Sequence, residues 1–160
     1  SFEKINHSPR IVFNKPSSLK DTVAFCSILE FHLQGPKTNI PKDSVCFWME
    51  VPYGKSVQKW PGYHLGNGEY VIRYIPKKAE TLHYKFTSEI PELDALEGSI
   101  VIDNHWPGKK HESDYLLGNN WYSDKSDKEF YDGKLQGGKT IQKWRTNVLM
   151  DWAERWNWLR

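Results

Sequence analysis

The sequence predicts a mainly β chain: an immunoglobulin-like antiparallel β-sandwich over residues 1–103, then a long loop and a C-terminal amphipathic α-helix over 104–160. Three observations predict it. Apolar and polar residues alternate in roughly six or seven short runs with turn residues between them. The turn chemistry is that of hairpins, with Gly66-Asn67-Gly68 the clearest case. After Asp103 the alternation stops, and helical spacing appears only in the last stretch.

The elements follow in order. Residues 1–10 are polar and expected to be ragged. The first strand is expected at 10–13, behind Pro9. Residues 21–33 alternate over strand length, so Val23, Phe25, Ser27, Leu29 and Phe31 would share one face. Pro36 and Pro41 make 35–43 a turn, since proline is unfit for a central strand. A strand at 44–51 carries Trp48, and 52–62 reads as a long loop holding Trp60. Strands are then expected at 69–75, stopped by Pro76, at 81–87, and at 99–103.

The segment 105–138 has no sustained period, and a stretch of that length in a compact domain is either functional or docked on something. The helix is expected over 139–159, with Gly137-Gly138 before it and Thr140 as the N-cap. Ile141, Trp144, Val148, Trp152, Trp156 and Leu159 fall on one stripe, which would dock on the sandwich or on a domain outside this chain. Arg145 and Arg155 lie within that stripe, and Asp151 stands four residues before Arg155. Either the arginine stems run over tryptophan faces with their heads in water, or the heads bind carboxylates on an adjoining domain or an anionic ligand.

Composition excludes several functions. The chain has 160 residues, enough for a core without metal or disulfide staples. Lys+Arg 22 against Asp+Glu 20 gives net +2 with the signs interleaved, so no nucleic-acid partner is expected. No apolar run approaches the roughly 18 residues of a membrane span. The first residues lack an apolar signal core, so a signal peptide either has been removed or never belonged to this piece. A Cys26–Cys46 bridge would need a register other than that of a hairpin centred near Thr38, which sets Phe31 rather than Cys26 opposite Cys46. The pairing stays open.

The chemistry-bearing residues point to binding rather than catalysis. Histidines 7, 32, 64, 83, 105 and 111 form no helical HxxxH or HExxH pair, so zinc is not expected. Asp124, Asp127 and Glu129 offer oxygens of the kind calcium takes, without the EF-hand pattern. No cofactor and no catalytic residue is expected. Eight tryptophans exceed what a core of this size requires, and aromatic residues in loops suit the apolar CH faces of sugar rings. The ligand candidates are therefore Trp48, Trp60, Tyr63, His64 and Trp106, with a polysaccharide as the expected ligand class. Trp121 is read as an interface residue together with Trp144, Arg145, Asp151, Trp152, Arg155 and Trp156.

Two resemblances add expectations. Gly66 and Gly68, Arg73-Tyr74-Ile75-Pro76, Tyr84 and Gly98-Ser99 resemble the punctuation of an Ig-like N-terminal domain of unknown function, found in many proteins classed as bacterial glycoside hydrolases. The likeness runs over about residues 11–103; Glu80-Thr81-Leu82 stands where the family has a glycine before the strand's aromatic. Trp144, Arg145, Asp151, Trp152, Ala153, Arg155, Trp156 and Trp158 resemble the C-terminal helix of a secreted, nucleoside-hydrolase-like family, some of whose members carry a cellulose-binding description.

Together these imply a non-catalytic accessory module of a longer, exported protein acting on carbohydrates or nucleosides, secreted, periplasmic or on the cell surface. Its partners would be other domains of that chain. One alternative is a fragment that completes a nucleoside-hydrolase-like active site, with the catalytic metal outside this chain. Another is a structural or adhesive Ig-like module.

Overall fold

The structure, a computed structural model, describes residues 2–104, 110–133 and 135–158. It is mainly β with one C-terminal helix. Twelve strands occur among the described residues: β1 Phe2–Lys4, β2 His7–Ser8, β3 Arg10–Phe13, β4 Thr22–Ala24, β5 Ile28–Gln34, β6 Val45–Tyr53, β7 Ser56–Gly66, β8 Glu69–Tyr74, β9 Glu80–Ser88, β10 Glu97–Asp103, β11 Tyr115–Leu116 and β12 Tyr122–Asp124. Helix α1 spans Gly138–Asn157.

Eight strands form one sheet in the order β3-β5-β8-β7-β6-β9-β10-β4. β4 and β5 are consecutive in the chain yet lie near opposite ends of that order, so the sheet must curl until its margins approach. The connection is short. Cys26 adopts φ 60, a left-handed conformation that few non-glycine residues take, and its amide donates to the Pro76 carbonyl at 2.8 Å. The single strand expected over 21–33 is therefore two. Apolar alternation continues through the break, with Val23, Ser27, Leu29 and Phe31 all buried, which is why the sequence reads as one strand.

The core fills the inside of the curl. Phe31 stacks on Phe13 at 5.1 Å and meets Tyr84 and Phe86; Phe47 meets Tyr70 and Phe86 edge-on. Two glycines make room for rings. A Cβ at Gly62 would stand 2.3 Å from the Phe47 ring, and one at Gly98 would stand 2.3 Å from Tyr84. Over Gly98, the Tyr84 hydroxyl reaches the Ser17 amide at 2.8 Å.

The expected loop at 52–62 is instead a long hairpin. Tyr53 pairs with Ser56, and Gly54 turns the chain with φ 60. The stretch holds Pro52 and Pro61, a residue type unfit for a central strand. They are tolerated because β9 pairs with β6 only as far as Glu50, and β8 with β7 only from Gly62 onward. The hairpin tip thus runs past its neighbours, where proline's missing N–H interrupts no third strand. Asn67 and Gly68, with φ 55 and 81, close β7 onto β8 as a two-residue turn.

The N-terminus and the tail organise each other. β1 pairs with β12 and β2 with β11, both antiparallel. Ile5 is buried, and its amide donates to the Trp121 carbonyl at 3.0 Å. Residues 2–8 therefore form strands after all, their partners lying more than a hundred positions away.

Helix α1 begins at Gly138 behind Gly137, φ 71, with no side-chain cap, so Thr140 lies inside the first turn rather than at the cap. None of its described residues is buried. Leu159 lies outside the described residues.

Candidate functional site

The hairpin β6–β7 sorts the predicted aromatics by face. Trp60 stands opposite Met49 and turns toward the core side, where its ring meets Tyr74 edge-on at 5.2 Å. Trp48 stands opposite Pro61 on the outer face; it and Tyr63 are both partly exposed. Alternation along a strand separates Trp60 from Tyr63 although they are three residues apart.

His64 turns inward. It is 3% exposed, lies over Tyr70 at 5.0 Å, and its Nδ1 donates to the Ile40 carbonyl at 2.8 Å. It is a buried histidine rather than part of an open aromatic surface. Trp106, like His105, lies outside the described residues.

Trp60 lines a cleft of about 340 Å³ with Tyr53, Gln58, Tyr74, Lys78 and Glu80. Lys78 pairs with Glu80 at 2.8 Å. Burial, with Glu80 nearby, pushes the Tyr74 phenol up to about 12. The cleft thus combines aromatic faces with an amide and a neutralised charge pair, a lining that suits a polar ring with apolar faces. Tyr53 and Gln58 were not among the predicted ligand residues, although they lie in the same 52–62 stretch as Trp60.

A larger cleft, about 740 Å³, opens between the sheet and the tail. Phe2, Phe25, Ile75, Lys77, Trp121, Tyr122 and Asp124 are among its walls. Trp121 and Tyr122 are 55% and 61% exposed, so they border open space instead of filling the seam. Asp124 Oδ1 is buried with no hydrogen-bond partner among the described residues.

What fastens the tail is a polar cluster that sequence reasoning missed. Glu30 is 0% exposed. Arg10 Nη2 donates to its Oε2 at 2.7 Å, Arg73 Nε to its Oε1 at 2.8 Å, and His32 Nε2 to Oε2 at 3.1 Å. The Tyr115 hydroxyl donates to Oε1 as well. Burial alone would push the Glu30 carboxyl up; the hydrogen bonds from Arg10, Tyr115, Arg73 and His32 overcome it and hold the group well below the usual carboxylate range. Next to it, Asp114 accepts from the Arg10 and His111 amides at 3.2 and 2.8 Å. The available signal was a lone Glu inside the apolar run Ile28–Gln34, since a buried carboxylate demands cationic partners.

The predicted interface residues other than Trp121 gather on α1 and remain uncovered. Trp144, Trp152 and Trp156 are about half exposed, and Trp152 meets Trp156 at 5.6 Å. Arg155 grips Asp151 with two bonds, 2.9 and 3.2 Å, and lies over Trp158, while Arg145 is exposed. Lys143 lies over Trp144.

Asp124, Asp127 and Glu129 do not converge. Among the described residues no three His, Cys, Asp or Glu side chains are grouped to hold a metal ion. Asp124 ends β12 against Gly137, whereas Glu129 sits exposed in the 3-10 turn Lys128–Phe130. Cys26 and Cys46 are both free thiols.

Residues 22–89 match the model of a family described as a domain of unknown function, DUF5060. None of the curated proteins compared with the chain matches it. Among solved structures it is similar to a protein of Bacteroides vulgatus described as a "putative glycoside hydrolase", at 21% identity and a TM-score of 0.47. The similarity covers 56% of this chain and 17% of that one, so the matched part is a small portion of a much longer protein.

Proposed function

We propose that this chain is a non-catalytic accessory module of a longer, exported, carbohydrate-active protein, and that it contacts glycan in the cleft around Trp60. The observation that carries the reading is the lining of that cleft. Trp60, held edge-on by Tyr74, and the exposed Tyr53 offer ring faces, while Gln58, Lys78 and Glu80 offer hydrogen bonds. The match of residues 22–89 to a domain of unknown function agrees with a module of this kind. Within the same proposal the curled sheet is an Ig-like sandwich, and α1 is the surface that meets a neighbouring domain of the same protein.

The test is glycan-array binding by the chain itself. Binding that is lost in Trp60→Ala and in Tyr53→Ala, with the thermal midpoint kept in the latter, supports the reading. An array on which no glycan binds removes its ligand half.

One observation favours a second reading, in which α1 completes the active-site domain of a nucleoside-hydrolase-like enzyme. The tryptophan stripe of the helix is uncovered. That reading expects the isolated chain to self-associate or to capture its neighbouring domain through α1; a monodisperse chain with all helix tryptophans quenched counts against it.

A further inference from the structure

The two clefts share a wall. Ile75 and Lys77 line both the cleft around Trp60 and the cleft between sheet and tail. That wall is fixed, because the Pro76 carbonyl accepts the Cys26 amide at the sharp turn between β4 and β5. On one side stand the half-buried Trp60 and the exposed Tyr53, on the other the exposed Trp121 and Tyr122, so aromatic rings flank a single crest.

The polar groups say what would lie there. The two clefts together carry two cations and two carboxylates, Lys77 and Lys78 with Glu80 and Asp124, so the pair as a whole does not favour a charged ligand. An acyl chain would meet the rings but strip water from Gln58 and Lys77 without replacing its hydrogen bonds, which is costly. A pyranose supplies both a CH face for the ring and hydroxyls for these polar groups.

We propose that the two clefts are successive stations on one path for an extended, neutral polysaccharide chain, with Lys77 at the crest between them. This rests on reading the Trp60 cleft as a glycan site and adds the chain length that the site recognises. A ligand long enough to occupy both stations gains from linking them, because the second contact becomes intramolecular.

The test is calorimetric titration with β-1,4-linked oligomers of glucose, xylose and mannose, from monosaccharide to hexasaccharide. For the sugar that binds, affinity rises with length. Trp121→Ala, which removes an exposed side chain, weakens the hexasaccharide about tenfold, equivalent to about 1.4 kcal/mol, and leaves the disaccharide unchanged. Tyr53→Ala weakens both. If Trp121→Ala binds the hexasaccharide as tightly as the original chain, the path is overturned and the Trp60 site stands. If Trp121→Ala abolishes binding while Tyr53→Ala and Trp60→Ala keep it, the path is overturned and the glycan sits against the tail alone. If no oligomer binds, this inference and the glycan reading beneath it both fall.

Discussion

The Tyr115 hydroxyl donates to the Glu30 carboxylate across 85 positions of sequence. That bond joins the tail to β5, and Arg10 and Arg73 complete the cluster from β3 and β8. Glu30→Gln should destabilise the chain by about 2 kcal/mol, less than a fully buried ion pair would lose, because the Arg73 side chain is already 60% exposed and can reach water. Tyr115→Phe should lose about 1.5 kcal/mol and make residues 110–124 more susceptible to limited proteolysis. Urea midpoints and the cleavage map measure the two effects.

The same carboxylate gives the acid limb of stability a definite sign. Glu30 titrates below its unfolded value of about 4.3. Its stabilisation is therefore whole above that pH and is lost as pH falls toward the folded value. Urea midpoints between pH 7 and pH 3 should fall less steeply for Glu30→Gln than for the original chain; parallel slopes would argue that the cluster is not ionised as described.

Tyr74 gives the opposite limb. Its raised value, about 12, lies above the roughly 10 of an unfolded tyrosine. The associated stability is complete below pH 10 and disappears as pH rises through about 12. Phenolate absorbance at alkaline pH should retain a late-titrating tyrosine that Tyr74→Phe removes.

Gly98→Ala should cost about 2–3 kcal/mol, because the new Cβ would overlap the Tyr84 ring. Tyr84→Phe in the same background tests the cause differently: it frees the Ser17 amide from its hydroxyl partner without relieving the overlap. Thermal midpoints should fall in both and fall furthest in the double variant.

Ending the chain after Gly137 should change the urea midpoint of the sheet by the equivalent of only about 0.5 kcal/mol, since α1 buries none of its described residues. A helix of this length without tertiary cover is marginal in water. Its far-UV circular dichroism signal should therefore melt earlier than the near-UV signal of the sheet.

Much of the β-body was legible because its punctuation has local causes. Gly66, Asn67 and Gly68 need positive φ; Pro76 stops β8; Gly98 yields to Tyr84. These are the residues that carried the resemblance, apart from Arg73, whose role is to hold Glu30.

What escaped were relationships between distant segments. Nothing in residues 2–8 announces that β12 and β11 will pair with them. The hairpin tip over 52–62 read as a loop because the end of a sheet's pairing cannot be read locally. Of the candidate site, Trp60 was legible as an aromatic needing a role. His64 was misjudged as open because its burial depends on Tyr70 and Ile40. Trp121 borders a cleft only because the tail stops short of covering it.

The crossing at Cys26 has a consequence for how this chain behaves in a crowd. By carrying the backbone from one margin of the sheet to the other, it leaves those margins to β4 and β3, strands of three and four residues that lie parallel to their neighbours. A long bare margin is where a β-rich protein recruits further copies of itself. Here the longest strands, β6, β7 and β9, are interior to the order; the β6–β7 tip that runs past its neighbours carries Pro52 and Pro61 on its bare edges, and the end margins are too short to template growth. A chain this rich in strand can in this way stay separate from its neighbours at high concentration.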